Sequence, residues 1–328
     1  MNFKPILIVI GEPYSIFSEL VFKLFNHKYY KNKKNKIILI GSKRLLEAQM
    51  KRLRFKFSFN LINSKNVIRS QLSKRSINII DINFKFKKPF EKISYKSQNF
   101  INQSFEEAFK LLKKKISNCL INGPVSKKHF LKKKFLGITE YLQKRTETKN
   151  KTTMVIYNEK LSVSPLTTHL PIKYVAKNIN IKKIINNTKQ INDFYKFKLN
   201  KKPKIAILGL NPHCETTDSY SEEERIIKPA IRKLKKYKIS IFGPFSADTF
   251  FLKKNIRKYD VVIGMYHDQV LTPIKTLYNF NAINITLGLP FIRISPDHGP
   301  NNEMIGKNKS SFDSIFYAME FLKKINEI

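Results

Sequence analysis

The stretch Val261-Val262-Ile263-Gly264-Met265-Tyr266-His267-Asp268-Gln269 joins an apolar run directly to a cluster of polar and ionisable side chains. The run Val261–Met265 is short, rich in β-branched residues and without charge, which predicts a buried strand. In a parallel sheet, the residues that follow the carboxyl ends of the strands meet at the edge where ligands bind. His267 and its polar neighbours are therefore candidates for a functional site.

Similar apolar runs recur along the chain and alternate with amphipathic segments. Further strands are predicted at Pro5–Ile10, Lys36–Ile40, Ile77–Ile80, Cys119–Ile121, Lys204–Leu208, Ile239–Phe242 and Ala282–Thr286, and a hairpin is predicted from Thr153–Tyr157 and Leu161–Pro165. Helices are predicted from a Ser97 cap to about Ile116, over Ser221–Tyr237, and near the end of the chain at Phe312–Leu322. This alternation predicts an α/β fold with a largely parallel sheet.

Some stretches lack such a pattern. The Lys/Asn-rich stretches Lys31–Lys36 and Asn178–Lys189 are predicted to be solvated faces or loops. The turn after the first predicted strand, from Gly11 to Phe17, does not carry the GxGxxG fingerprint. A nicotinamide cofactor would therefore not bind through the usual dinucleotide-binding turn.

Three of the six histidines share one kind of position. His169, His213 and His267 each lie just beyond the carboxyl end of a predicted strand. Three imidazoles at one sheet edge would form a three-nitrogen site with open coordination positions, as in catalytic metal sites, although each alone is more often an ordinary hydrogen-bonded histidine. Asp248 and Asp268 could orient the imidazole rings or complete the ligand shell.

The other histidines give weaker signals. His27 and His129 lie among lysines and are predicted to be solvated surface residues. His298 is predicted to lie in a turn, and a role in the site stays open for it. Two cations near the candidate edge, Lys275 and Arg293, suit an anionic substrate, because guanidinium binds carboxylate or phosphate through two parallel hydrogen bonds.

Composition limits the class of protein. The chain has 328 residues, 42% of them hydrophobic, which is enough for a full core. It has two cysteines, Cys119 and Cys214, which excludes a disulfide framework and fits a reducing compartment. The apolar run Ile6–Ile10 is too short for a targeting segment or a membrane span, so a cytoplasmic protein without membrane contacts is expected.

The net charge is strongly positive, because 63 Lys and Arg against 24 Asp and Glu give +39. A charge of this size attracts polyanions, which favours nucleic-acid binding. The basic residues are scattered, however, and the abundance of Lys, Asn, Ile and Phe is what an A/T-rich genome would supply. Coding bias is therefore the preferred interpretation, and a nucleic-acid partner is not expected.

Several segments together resemble one enzyme family. They occur in the order Gly11-Glu12-Pro13, Asn122–Lys127, Thr167–Pro171, Gly209–His213, Phe245–Thr249, Met265–Gln269, Asn284–Arg293 and Asp297-His298-Gly299. In this order the segments closely resemble the 4-hydroxythreonine-4-phosphate dehydrogenases of pyridoxal 5′-phosphate biosynthesis, over nearly the whole chain. The resemblance implies the two-lobed fold of the isocitrate and isopropylmalate dehydrogenases, with the active site in the cleft between the lobes. Residues 1–328 would form one family unit of two α/β lobes, with discontinuous boundaries.

The resemblance also implies an activity. The expected reaction is the NAD- or NADP-dependent oxidation of 4-phosphooxy-L-threonine to 2-amino-3-oxo-4-phosphooxybutanoate, which loses carbon dioxide to give 3-amino-2-oxopropyl phosphate. A divalent zinc, magnesium or cobalt ion would be held by His169, His213 and His267 and shared across a homodimer interface. Substrate contacts are implied for the set Thr139, Lys275, Asn284 and Arg293.

Three departures from the family pattern affect the substrate and cofactor sites. The Gly-His-Thr-Glu of the family is here Gly137-Ile138-Thr139-Glu140, and Ile138 cannot donate a hydrogen bond to phosphate. Glycine-rich stretches of the family are replaced by the bulkier Tyr14–Phe17 and by Cys214–Asp218. Two alternatives therefore stay open: a divergent dehydrogenase of another phosphorylated four-carbon hydroxy acid, and a polyanion-binding protein on a retired enzyme scaffold.

Overall fold

The computed structural model describes residues 4–132, 134–148, 152–215, 220–278, 282–296 and 302–325. The chain divides into two compact units. The first unit comprises Met1–Thr146 and Pro290–Ile328, and the second unit comprises Glu147–Leu289. The second unit is therefore an uninterrupted segment inserted into the sequence of the first.

Strands and helices alternate through most of the described residues. The strands are β1 Ile6–Val9, β2 Ile37–Gly41, β3 Phe59–Leu61, β4 Ile77–Asp81, β5 Cys119–Asn122, β6 Thr153–Tyr157, β7 Ser162–Thr167, β8 Ile205–Leu208, β9 Ile241–Phe245, β10 Val261–Tyr266, β11 Ile283–Leu287 and β12 Ile292–Pro296. The helices are α1 Phe17–Asn26, α2 Lys43–Leu53, α3 Gln98–Lys113, α4 Ile138–Arg145, α5 Ile181–Lys198, α6 Lys228–Lys236, α7 Ala247–Phe250, α8 Lys253–Ile256, α9 His267–Tyr278 and α10 Asp313–Lys324.

The strands of the first unit follow the order β3-β4-β2-β1-β5-β12, and each neighbouring pair is parallel. The central strand β1 consists of four buried apolar residues, as expected where both faces of a parallel sheet are covered. Parallel order brings the residues after β1 and β5 to the same edge, where Glu12 N donates to Pro124 O at 2.8 Å.

The strands of the second unit follow the order β11-β6-β7-β10-β8-β9. Strands β6 and β7 form the predicted antiparallel hairpin, and β7, β10, β8 and β9 are parallel. A buried core forms where the apolar strand residues meet α9, with Val163, Ala206 and Val262 packed near Val270 and Ile274. The predicted α/β fold with a largely parallel sheet is confirmed.

Some predicted details were wrong. Strands β3 and β12 were not predicted, and the strand expected at Ile239–Phe242 lies at Ile241–Phe245. The helix expected over Ser221–Tyr237 opens with a π-helical turn at Glu223–Ile227 before α6.

Two further corrections concern residues near helices. Ser97 precedes α3 but does not cap it, because its hydroxyl donates to Glu12 and to Ser94 O instead. Part of the Lys/Asn-rich stretch forms α5, which buries Ile184 and Ile191. Among the helices formed by the described residues, none combines the length and the apolar composition needed to cross a bilayer.

Candidate active site

The three histidines singled out in the sequence follow neighbouring parallel strands of the second unit. Strand β10 lies between β7 and β8, with Tyr266 opposite Thr167 and Ile263 opposite Ile207. His169, His267 and His213 come shortly after the carboxyl ends of β7, β10 and β8, respectively. Open α/β sheets bind ligands at this edge.

His169 and His267 lie close together. Their ring centroids are 6.0 Å apart, and both residues are half-buried. His267 Nδ1 is 2.6 Å from Asp268 Oδ1, which fixes one ring nitrogen by a carboxylate contact. Such a contact orients an imidazole and directs its other nitrogen, Nε2, towards a ligand.

His213 is exposed and lies in an unusual turn. Its backbone has φ 56° and ψ 10°, in the left-handed region that L-residues adopt rarely. His213 Nδ1 lies 3.8 Å from Asp248 Oδ2, so the two aspartates expected to orient histidine rings are each near a different histidine. The pKa of Asp248 lies below its ordinary value, because the Ser246 hydroxyl donates to its carboxylate and His213 is nearby.

The donor chemistry of these residues suits a divalent metal. Imidazole nitrogens are frequent ligands of zinc and cobalt. The rings of His169 and His267, with centroids 6.0 Å apart, are two such candidate ligands that lie near each other. Within the described part of one chain, however, no three histidine, cysteine, aspartate or glutamate residues form a group that could hold a metal ion. The structure thus brings two of the three histidines together.

Two of the expected substrate-binding residues belong to the second unit. Lys275 is half-buried on α9, eight residues after His267. Asn284 is half-buried on β11, and its Oδ1 atom is buried without a hydrogen-bond donor. A buried amide oxygen without a donor is costly in a folded protein, so Asn284 is suited to accept a hydrogen bond from a ligand.

The other two expected substrate-binding residues, Thr139 and Arg293, belong to the first unit. Thr139 is half-buried in the first turn of α4. Arg293 on β12 is 1% exposed, and its Nε donates to Asn122 Oδ1 at 2.8 Å. Burial lowers the pKa of Arg293 to about 10, while the nearby Glu140 carboxylate acts in the opposite direction. Arg293 therefore stays cationic at neutral pH, as binding of an anionic group requires.

The bulky residues that replace a glycine-rich stretch of the family are part of the core of the first unit. Tyr14, Ile16 and Phe17 are at most 4% exposed. The Phe17 ring packs directly against Gly123, where a Cβ atom would lie 2.4 Å from the ring. These substitutions are thus accommodated by packing. Ile138 is half-buried at the first position of α4. The remaining departure from the family pattern is Cys214–Asp218, of which residues 216–218 lie outside the described residues. The segment Asp297-His298-Gly299 also lies outside them.

Glu12 is an ionisable residue whose unusual surroundings could not be predicted from the sequence. This glutamate is completely buried; its Oε2 accepts a hydrogen bond from Ser97 Oγ at 3.1 Å, and its Oε1 has no partner. Burial raises the pKa of Glu12 to about 7, although the bonds from Ser97 and from the Tyr14 backbone act against this rise. The signals in the sequence were its place directly after a predicted buried strand and its membership of the segment Gly11-Glu12-Pro13 that resembles the family.

The two remaining described histidines are not solvated as predicted. His27 is half-buried beside the rings of Phe312 and Phe316, with centroids 5.9 and 5.1 Å away. His129 is half-buried beside Tyr95, and its Nδ1 lies 3.1 Å from Ser126 Oγ. Both positions are accounted for by packing and local hydrogen bonds.

The chain is similar over almost its whole length to proteins of one known family. The sequence profile of the family described as pyridoxal phosphate biosynthetic protein PdxA matches residues 33–322. The chain belongs to the PdxA family. The 4-hydroxythreonine-4-phosphate dehydrogenase of Sulfurihydrogenibium sp. (strain YO3AOP1) is 36% identical over 328 residues, which cover 98% of each chain. The family resemblance seen in the sequence is therefore confirmed.

Solved structures place this PdxA-family chain in the same fold. The 4-hydroxythreonine-4-phosphate dehydrogenase of Klebsiella pneumoniae superposes with a TM-score of 0.83 at 26% identity, over 98% of this chain and 99% of that one. The isocitrate dehydrogenase of Methylococcus capsulatus superposes with a TM-score of 0.51 at 9% identity, over 99% of this chain and 86% of that one. The second likeness concerns the fold alone, and it confirms that the fold resembles that of isocitrate dehydrogenase. Membership of the PdxA family supports a dehydrogenase function in pyridoxal phosphate biosynthesis.

Proposed function

We propose that this chain oxidises 4-phosphooxy-L-threonine with NAD or NADP to 2-amino-3-oxo-4-phosphooxybutanoate, which decarboxylates to 3-amino-2-oxopropyl phosphate. The observation that carries the proposal is the position of His169, His267 and His213 after three neighbouring parallel strands, in a chain of the PdxA family. The likeness to named dehydrogenases over almost the full chain supports the same reaction.

In this proposal the three histidines hold a divalent zinc, magnesium or cobalt ion. The contact between His267 Nδ1 and Asp268 supports it, because that contact leaves Nε2 of His267 as the ligand atom. The ion would be shared across a homodimer, so that each complete site contains residues of both subunits. A shared site accounts for the absence of a three-ligand group from the described residues of a single chain.

Residues of the chain would bind and orient the substrate. Lys275 and Arg293 supply positive charge for its phosphate and carboxylate, while Asn284 Oδ1 accepts a hydrogen bond from its hydroxyl or amino group. Fixing these groups holds the reacting carbon in one orientation, which lowers the entropic part of the barrier. When bound, the metal supplies Lewis-acid polarisation of the hydroxyl and the nicotinamide supplies a hydride acceptor.

A second candidate is a related dehydrogenase for another phosphorylated four-carbon hydroxy acid. Ile138 favours this alternative, because an apolar side chain stands where the family has a histidine. The net charge of +39 favours the third candidate, a polyanion-binding protein, but it would also raise the local concentration of any dianionic substrate.

A turnover assay tests the proposal. The purified protein is stripped of metal and assayed with 4-phosphooxy-L-threonine, NAD or NADP, and added zinc, magnesium or cobalt. We expect metal-dependent reduction of the nicotinamide, and loss of both metal content and turnover in His169→Ala, His213→Ala and His267→Ala. His129→Ala is the matched control and should retain both. Unchanged metal content in all three variants would refute the metal site, and no turnover with any metal would refute the reaction.

A further inference from the structure

A set of polar side chains connects the three strand ends that precede the histidines. We propose that Thr167, Gln269 and Glu223, here called the clasp, are positioning residues that fix the histidine-bearing segments relative to one another. The inference rests on the proposed function, because it concerns the same histidines. All three residues belong to the second unit.

Thr167 connects β7 to β10. It is 2% exposed, and its Oγ1 donates to the backbone oxygen of Met265 at 2.7 Å. The two strands are also paired through Thr167 and Tyr266. The hydroxyl therefore adds a side-chain bond at the point where the paired strands end and their histidine-bearing segments begin.

Gln269 connects β10 to the segment after β8. Its Oε1 accepts from Met265 N at 2.7 Å, and its Nε2 donates to Gly209 O at 2.7 Å. The pairing register of β10 with β8 ends at Ile263 and Ile207. Beyond that pair, the amide of Gln269 bridges the two chain segments, because its oxygen is an acceptor and its nitrogen is a donor.

Glu223 holds the segment that leads into His213. Its Oε1 accepts from Leu210 N at 2.7 Å and from Asn211 N at 3.0 Å, and its Oε2 accepts from Asn211 Nδ2 at 2.8 Å. The side chain is completely buried. Burial acts to raise the pKa of Glu223, but the hydrogen bonds from Asn211 and Leu210 outweigh it, so the pKa lies below its ordinary value and the carboxylate is charged.

Gly209 makes the close approach of this carboxylate possible. A Cβ atom at that position would lie 2.9 Å from Glu223 Oε1 and 2.5 Å from Cys214 Sγ. The absence of a side chain at Gly209 thus lets a buried anion reach two successive backbone N–H groups. Charge-assisted bonds of this kind are stronger than neutral ones, which suits a segment whose histidine has a left-handed backbone.

The positions of these bonds separate a positioning role from general stabilisation. The clasp residues form hydrogen bonds with the backbone of Met265 and Asn211. The third position of interest is Thr167, which is one of the clasp residues. Each of these positions lies two residues before one of the three histidines. Changes to groups that orient metal ligands commonly cost about tenfold to a hundredfold in metal affinity. The clasp should therefore affect metal affinity in a protein that stays folded.

Zinc binding to metal-free protein tests the inference. Dissociation constants are measured by competition with a chromophoric chelator for Thr167→Val, Gln269→Met and Glu223→Gln. Each should bind zinc about tenfold to a hundredfold more weakly than wild type. Thr167→Ser keeps the hydroxyl and should restore wild-type affinity. The matched controls are Thr276→Val, on the exposed side of α9, and Glu224→Gln, whose exposed carboxylate pairs with Lys228; both should leave the affinity unchanged.

A second measurement needs no metal. Amide hydrogen exchange of Leu210 and Asn211 in the metal-free protein should be at least about tenfold faster in Glu223→Gln than in wild type or Glu224→Gln, because the charged acceptor is lost. Should Gln269→Met fail to fold, Gln269→Glu replaces it, since it keeps the acceptor for Met265 N and removes the donor to Gly209 O. Unchanged zinc affinity in all folded clasp variants would overturn the proposal. If the wild-type protein binds no zinc, the proposed metal site is refuted. In that case, equal amide hydrogen exchange of Leu210 and Asn211 in Glu223→Gln and in wild type would overturn the clasp as well.

Discussion

Arg293 Nε donates a hydrogen bond to Asn122 Oδ1 at 2.8 Å, although 171 residues separate the two in sequence. The contact joins neighbouring strands β12 and β5 inside the first unit, where the guanidinium is 1% exposed. We expect Asn122→Leu to lower the free energy of unfolding by about 2–3 kcal/mol, because it removes the acceptor of a buried charged donor. Urea unfolding measures this change.

Asn118→Ala is the matched control for that experiment. Asn118 also carries an amide and precedes the same strand β5, but its Oδ1 accepts from Lys4 Nζ at the exposed surface. Its replacement should change stability by no more than about 0.5 kcal/mol. An equal decrease in the free energy of unfolding for the two variants would contradict the prediction that the buried bond stabilises the fold more than the exposed one.

The stability of the first unit should depend on pH through Glu12. The pKa of Glu12 is about 7 in the folded chain, against an ordinary value of 4.5, so the folded state retains a proton that the unfolded state has lost. This contribution to stability is present below pH 4.5 and is lost as pH rises to about 7. The linked loss is on the order of 3 kcal/mol. Glu12→Gln should remove this part of the pH dependence.

The comparison requires unfolding curves at about pH 5 and about pH 8 for both proteins. The difference between the two pH values, rather than absolute stability, is the quantity of interest, since an amide at this buried site changes the baseline. Glu47→Gln is the control, because Glu47 is exposed on α2 beside Lys43. An identical pH dependence in wild type and Glu12→Gln would contradict the prediction.

Ile138 should weaken substrate capture rather than the chemical step. The family histidine expected there would donate a hydrogen bond to an anionic group, which is worth about 1.5–3 kcal/mol, or about tenfold to a hundredfold in affinity. Ile138→His should therefore lower KM for 4-phosphooxy-L-threonine with little change in kcat. Ile138→Leu is the apolar control. An unchanged KM would favour a different substrate.

A shared active site should allow two inactive chains to complement each other. His213→Ala and Lys275→Ala chains are unfolded together, refolded and assayed. If each site takes these residues from different subunits, half of the dimers are mixed and each has one intact site, which gives about a quarter of wild-type activity. A chain with both changes is the negative control. If the active protein sediments as a monomer, the proposal of a shared site is refuted.

The strands that could be predicted are those with uninterrupted apolar runs. Strands β1, β8 and β10 are buried on both faces, so their sequences contain almost no polar residue. Strand β12 was missed because it carries Arg293, a charge whose burial depends on Asn122 and Glu140, which are distant in sequence. Strand β3 was missed because it is three residues long and incompletely buried.

The sequence located the histidines better than their partners. Strand ends are visible in the sequence, so the position of His169, His213 and His267 at one edge followed from the fold. The role proposed for Glu223 could not be predicted from the sequence, because a glutamate near a helix start is normally explained by the helix dipole. Its hydrogen bonds to Leu210 and Asn211 depend on the tertiary path of the chain.

The first unit is built from two stretches that are far apart in the chain, and this affects the order in which the protein can form during synthesis. Residues up to Thr146 leave the ribosome long before β12, which pairs with β5 through Ile292, Arg293 and Ile294. Until then, that edge of β5 lacks its neighbour, and an unpaired strand edge favours aggregation. Chaperone protection of the nascent first unit is therefore expected over the interval between the synthesis of β5 and that of β12.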